Sequence, residues 1–186
     1  MKTIAIIGFG NFGQFAASHL KTHFDVVAFD EHDFGPQAEK AGVKAASLKE
    51  ATGCDVVLLC VPVQNLESLL RKIKLHLKNG AIVVDVCSVK QKPAELMENI
   101  LPDDVELIGT HPLFGPQSGK NGINGLQIVL CPVRADKKTI RKVNDLLEAK
   151  LGLHVIEMTP SEHDEWMART QAMAHYVGRA AKELEL

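Results

Sequence analysis

Short apolar runs alternate with helical spacings along most of this chain, and a glycine-rich turn joins the first run to the first helix. These two observations predict an α/β domain with a doubly wound, mainly parallel sheet. A third, the polar residues gathered just after the apolar runs, places the functional edge at the carboxyl ends of the strands. The 186 residues suit one domain of ordinary size plus an extra element, and 46% apolar with 24% charged residues is the balance of a soluble globular chain. A net charge of −2 provides no field that would draw nucleic acid or an anionic membrane, so small-molecule chemistry is the expected class. Cys54, Cys60, Cys87 and Cys131 form no C-x-x-C pair, and three of them lie in apolar runs. They read as reduced core residues of a cytoplasmic protein, and no metal site is expected. No run approaches the roughly 20 apolar residues needed to cross a bilayer, and the run before Gly8 is too short for a signal-peptide core.

Thr3 to Ile7 is a continuous, β-branched apolar run, as in a strand buried on both faces. Gly8-Phe9-Gly10-Asn11-Phe12-Gly13 then fits G-x-G-x-x-G, and helical spacing continues from Gln14 to His23. Strand, loop and helix in that order are the context in which this motif binds a dinucleotide. Gly8 allows the tight turn, Gly10 lets backbone approach a pyrophosphate, and Gly13 lets the helix pack on the strand. The free amides at the helix start hold the phosphates. Asp25 to Phe29 reads as the second strand, with Asp30 at its end, 22 positions beyond Gly8. A carboxylate there accepts from the adenosine ribose hydroxyls and repels a 2′-phosphate, which favours NAD, while His32 and Lys40 leave room for NADP.

From Gly35 to Gly53 the pattern gives short helical pieces around a brief extended stretch at Val43. Asp55 to Pro62 is the next buried strand, and Pro62 opens a helix reaching about Leu77. Cys60, Val61 and Pro62 at the strand end are expected to meet the cofactor through backbone and apolar contact. A strand at Ala81 to Val86 leaves Ser88 and Lys90 facing the same crevice. After a helix from about Pro93 to Leu101 and a strand from Val105 to Ile108 comes the loop Thr110 to Gly119. Two prolines and two glycines constrain it, and Pro112 biases His111 towards an extended backbone, so the loop should aim its histidine.

Leu126 to Cys131 and Leu153 to Glu157 read as further strands, with an amphipathic helix from about Lys137 to Leu151 between them. Thr159-Pro160-Ser161 breaks the chain, and Ser161 with Asp164 reads as a capping box for a helix running to the terminus. Such a helix would be about 37 Å long. Trp166, Met173, Val177, Ala180 and Leu184 share one of its faces, which should pack on another chain, while Gln171 and His175 point together from another face. The expected division is residues 1–158 as the dinucleotide-binding domain and residues 159–186 as a linking helix.

Four stretches in this order carry a resemblance: the glycine loop, Asp85-Val86-Cys87-Ser88-Val89-Lys90, His111-Pro112-Leu113-Phe114-Gly115-Pro116, and Glu162-His163-Asp164 with Gln171-Ala172-Met173-Ala174-His175 after it. Together they resemble the prephenate and arogenate dehydrogenase family over nearly the whole chain. The resemblance implies a Rossmann-like domain and NAD(P)-dependent oxidative decarboxylation of prephenate or arogenate in tyrosine biosynthesis, by a homodimer. It makes His111 the proton acceptor from the substrate ring hydroxyl and Ser88 the residue that hydrogen-bonds both. It also makes Gln117, Gln171 and His175 substrate contacts, although the family usually has an acid where this chain has Gln117. The family continues into a helical dimerisation domain that supplies an arginine for a substrate carboxylate. The chain ends at Leu186, so the last helix would begin a truncated form of that domain. Arg169, Arg179 and Lys90 are then the nearby cationic stand-ins. Two other readings stay open, a hydroxyacid- or imine-type reductase and a non-catalytic cofactor-binding module.

Overall fold

The computed structural model describes residues 2–184, except for the side chains at 171, 172, 174, 175, 180 and 181. Eight strands form one sheet among the described residues: β1 (Thr3–Ile7), β2 (Asp25–Phe29), β3 (Lys44–Ala45), β4 (Val56–Leu59), β5 (Ile82–Asp85), β6 (Glu106–Pro112), β7 (Gln127–Arg134) and β8 (His154–Glu157). Their order is β3-β2-β1-β4-β5-β6-β7-β8, and every neighbouring pair is parallel except β6 with β7. The doubly wound expectation is met, with the chain reversing at β1, between β2 and β4.

The continuous apolar strands feed two cores because successive side chains leave opposite faces of the sheet. Ile4, Ile6, Leu58, Val84 and Ile108 enter one core, under α1 (Asn11–Leu20) and α2 (Gly35–Ala41). Ala5, Ile7, Val57, Leu59, Val83 and Leu107 enter the other. Against that second face pack α3 (Leu48–Thr52), α4 (Val63–Ile73) and α5 (Gln91–Ile100). On the first face, α6 (Lys137–Asp145) and a π-turn (Leu146–Lys150) come after β7. Between them and α1 lies an apolar cavity of about 540 Å³ lined by Phe15, Leu58, Val84, Phe114 and Leu146. No helix of the described residues is long and apolar enough to cross a membrane.

Three local expectations are corrected. His111 and Pro112 pair with Val129 and Ile128 of β7, so the histidine stands on the last residues of a strand rather than in a loop. The terminal helix starts two residues earlier than expected: the cap of α7 (Pro160–Met167) is Thr159, whose hydroxyl accepts from the Glu162 amide while the Glu162 carboxylate accepts from the Thr159 amide. Pro160 decides this, since its fixed φ and missing N–H suit the first helical position and make the preceding residue the cap. Finally, the helix is not one straight rod. A π-turn at Ala168–Ala172 separates α7 from α8 (Met173–Glu183). One extra residue in that turn rotates α8 by roughly 100° relative to α7. Trp166 therefore does not continue the stripe of Met173 and Val177, all three of which are exposed.

Asp55 ties the entry of β4 to the entry of β1. Its carboxylate accepts from the Thr3 amide at 3.0 Å, the Thr3 hydroxyl at 3.2 Å and the Lys78 ammonium at 2.6 Å. Lys78, and after it the Thr3 amide, holds its pKa down at about 2. A carboxylate depressed in the folded state contributes stability above its unfolded value, near 4, and loses it as pH falls towards 2. Asp55→Asn should therefore lower stability at pH 7 by about 1 kcal/mol, a value reduced by solvent screening. Chemical denaturation at several pH values should show a flatter decline between pH 4 and 2 than in the unaltered protein.

Candidate active site

Ile7, Leu59, Asp85 and Gly109 lie in register across β1, β4, β5 and β6. Gly8 and His111 therefore leave the sheet at the same edge, three strand spacings or about 14 Å apart. At Gly8 the backbone has φ +97°, and a Cβ would stand 2.5 Å from the Cys60 carbonyl oxygen. A Cβ on Gly13 would fall 2.1 Å from the Gly8 carbonyl oxygen, so the first turn of α1 packs on the loop itself. Gly10, the N-cap of α1, has open space where its Cβ would be, and no side chain caps the helix. That leaves a bare positive helix end facing a gap, as a pyrophosphate requires. Asp30 latches the loop by accepting from the Phe9 amide at 2.6 Å, and its other oxygen accepts from the His32 amide at 3.0 Å. Burial works to raise the Asp30 pKa, but the His32 and Phe9 amides outweigh it and hold the carboxyl below its ordinary range.

At the other end of the edge, a lone acid in the apolar strand β5 is tolerated only with a partner. Asp85 is fully buried and pairs with Lys90, which is also 0% exposed and donates to the Thr110 carbonyl at 2.7 Å. The Thr110 hydroxyl donates in turn to the Asp85 carbonyl at 2.7 Å. Gly109 makes room for this pair, since a Cβ there would lie 3.2 Å from the Lys90 stem. The residue preceding His111 is thus fastened from both sides.

His111 is 7% exposed, and its Nδ1 stands 2.9 Å from Nε2 of the fully buried His163 on α7. His163 Nδ1 is 2.7 Å from the Asp164 carboxylate, which also accepts from the Lys90 and Gln91 amides at 2.7 and 2.9 Å. Partial burial acts to raise the Asp164 pKa, but those amides and His163 hold it low. An ionised carboxylate can only accept, so the neutral form of His163 carries its proton on Nδ1 and offers a bare Nε2. His111 then donates from Nδ1, and its own Nε2 is left as an acceptor. Burial, then His163 and Lys90, push the His111 pKa down to about 4, so it is a neutral imidazole at physiological pH.

The positions singled out in the sequence divide. Gly8, Phe9 and Gly10 make the turn, Asn11, Phe12 and Gly13 the start of α1, and Asp30 after β2 ties to Phe9; of Cys60, Val61 and Pro62, the Cys60 backbone and the Val61 side chain lie against Gly8. Ser88 is exposed after β5, and the hydrogen-bond partner of His111 Nδ1 is His163. Lys90 is no crevice-facing cation, because the Asp85 pair holds it beneath the sheet edge. Gln117 is exposed in the loop after β6, where Phe114 meets Phe15 of α1 edge-on at 6.2 Å between ring centres. Gln171 and His175 lie on the terminal helical segment, and their side chains are outside the described residues. Arg169 is exposed and pairs with Glu165. Sequence reasoning missed the roles of Asp85, His163 and Asp164. The signal available for Asp85 was its isolation in an apolar run with a lysine five residues on.

A doubly wound, mainly parallel sheet with a bare glycine-loop helix end at the carboxyl edge of its strands defines a nucleotide-binding domain. Residues 17–157 match the family described as the nucleotide-binding domain of prephenate dehydrogenase, and the chain belongs to that family. It is 37% identical over 192 aligned residues to arogenate dehydrogenase 1, chloroplastic, of Arabidopsis thaliana, covering 98% of this chain and 30% of that protein. It is 30% identical to the probable arogenate/prephenate dehydrogenase of Methanocaldococcus jannaschii, covering 99% of this chain and 43% of that one. Among solved structures, prephenate dehydrogenase from Aquifex aeolicus superimposes with a TM-score of 0.81 at 27% identity, over 99% of this chain and 71% of that one. The chain thus spans less than half the length of these two curated relatives.

Removing Lys90 isolates the site's geometry from its chemistry. Lys90→Met leaves the Asp85 carboxylate buried and unpaired and should lower unfolding free energy by about 3–5 kcal/mol in urea titration. Adding Asp85→Asn should restore part of that loss.

Proposed function

We propose that this chain is the cofactor-binding and proton-accepting part of an NAD-dependent dehydrogenase that oxidatively decarboxylates prephenate or arogenate, as in tyrosine biosynthesis. The observation that carries the reading is the placing of His111, its Nδ1 2.9 Å from His163 Nε2, at the strand edge that also holds the glycine loop. Nicotinamide, when bound, supplies the hydride acceptor. The chain supplies the amides of the α1 start for the phosphates, Asp30 for the ribose and His111 Nε2 for the proton of the ring hydroxyl. As that proton and the hydride on the same carbon both leave, the C–O bond becomes a carbonyl conjugated with the carbon bearing the carboxylate. Loss of CO₂ then places the bonding pair in an aromatic ring, which makes the overall step effectively irreversible. Ser88, exposed beside the crevice, is the hydroxyl available to orient the substrate, with Gln117, Gln171 and His175 as further contacts. Residues 159–186 act as the linking helix, and the exposed Met173, Tyr176 and Val177 of α8 supply an apolar face for pairing of two copies.

A turnover assay with both substrates and both cofactors tests this. His111→Asn should lower turnover about 10²- to 10⁴-fold with cofactor affinity little changed, and a near-normal rate would reject the role. Calorimetric titration should show NAD bound about tenfold or more tighter than NADP, because the Asp30 carboxylate opposes a 2′-phosphate. Asp30→Ala should shrink that ratio, and equal affinities in the unaltered protein would overturn the preference.

A further inference from the structure

His111 is a poor resting place for charge. Around it stand His163 and Asp164 from α7, the Asp85–Lys90 pair from β5 and the start of α5, and Cys131 on β7, opposite Gly109. Lys90 opposes a positive charge there, Asp85 is already committed to Lys90, and burial pushes the Cys131 thiol up to about 12, so it stays neutral. Among the described residues, the one anion linked to the imidazole by hydrogen bonds is Asp164, and the link runs through His163.

We propose that His163 and Asp164 form a proton relay behind His111, so that the charge taken from the substrate comes to rest on His163. The inference rests on His111 being the base. The substrate O–H bond breaks and its proton joins His111 Nε2. The Nδ1–H bond of His111 breaks as that proton moves 2.9 Å across to His163 Nε2. His163 keeps its Nδ1 proton on Asp164 and becomes an imidazolium, while His111 ends neutral with its tautomer reversed. After product leaves, the Nε2 proton of His111 passes to water and Nδ1 recovers its own from His163. Atoms and charge balance, and no further reagent is needed. His163 is thus a positioning residue that also sets a switch: facing an imidazolium at His163, His111 Nδ1 must accept, Nε2 carries the proton, and the base is closed.

Nitrogen-15 NMR of the histidine-labelled chain reads this without substrate or cofactor. At neutral pH His111 should be the Nδ1–H tautomer. On acidification it should pass through a neutral Nε2–H form before becoming an imidazolium, and direct conversion to the imidazolium would overturn the relay. His163→Gln offers an amide oxygen to the His111 Nδ1–H but takes no proton. In this variant His111 should protonate directly, the acid limb of kcat/KM should move to lower pH by about one unit, and kcat should fall about 10²-fold with substrate KM within about threefold. Unchanged kcat and acid limb in His163→Gln, with His111→Asn inactive, would sink the relay alone. A fully active His111→Asn would sink the base assignment itself. If His163→Gln failed to fold, the titration of the unaltered chain would still decide.

Discussion

The buried pair of Asp85 and Lys90 is the constraint on which the site is built. It fixes the end of β5 to the start of α5 and, through Thr110, to the last residues of β6. A charge pair in that position is a weak source of stability, because desolvating both ions offsets most of their attraction. Its value lies in geometry. With Asp85 Oδ1 held by Lys90 and the Cys87 amide, and Lys90 and the Thr110 hydroxyl each bonded to a main-chain carbonyl, the end of the strand is fixed and His111 is aimed as a result. The absence of a Cβ at Gly109 is part of the same design, since the lysine stem occupies that space.

The second half of the site is assembled from sequence distance. Asp164 lies 74 residues from Lys90 yet accepts its amide and that of Gln91, doing for the start of α5 what an N-cap side chain ordinarily does. The same carboxylate orients His163. One acid therefore ends a helix, docks α7 on the sheet and sets the tautomer of an imidazole two side chains away.

Much of this was legible in the residues. Apolar runs such as Ile4–Ile7 and Val56–Leu59 declared strands covered on both faces, and the glycine loop declared its own helix because its spacing is dictated by close contacts between Gly8, Gly13 and Cys60. The edge of the sheet on which His111 stands could be placed from strand direction alone. What periodicity does not encode is pairing between distant segments. That is why Lys90 reads as a crevice cation although it is committed to Asp85, and why the contact of His163 with His111 is not legible in the sequence. Asp164 was read as a local cap because capping is a three-residue pattern, whereas its partners come from another helix. The extension of β6 through His111 was hidden for a similar reason, since prolines suggest a loop unless an antiparallel neighbour is known to receive the strand.

The π-turn at Ala168–Ala172 sits five residues beyond His163 and joins α7 to α8. Helical backbone with a widened turn bends more readily than a regular rod, and the seam between α7 and the sheet is held by a handful of polar bonds around Asp164. A pull arriving along α8 would thus spend itself partly in the hinge and partly at that clasp. The contact that orients the His111 ring therefore depends on how α7 is seated on the sheet.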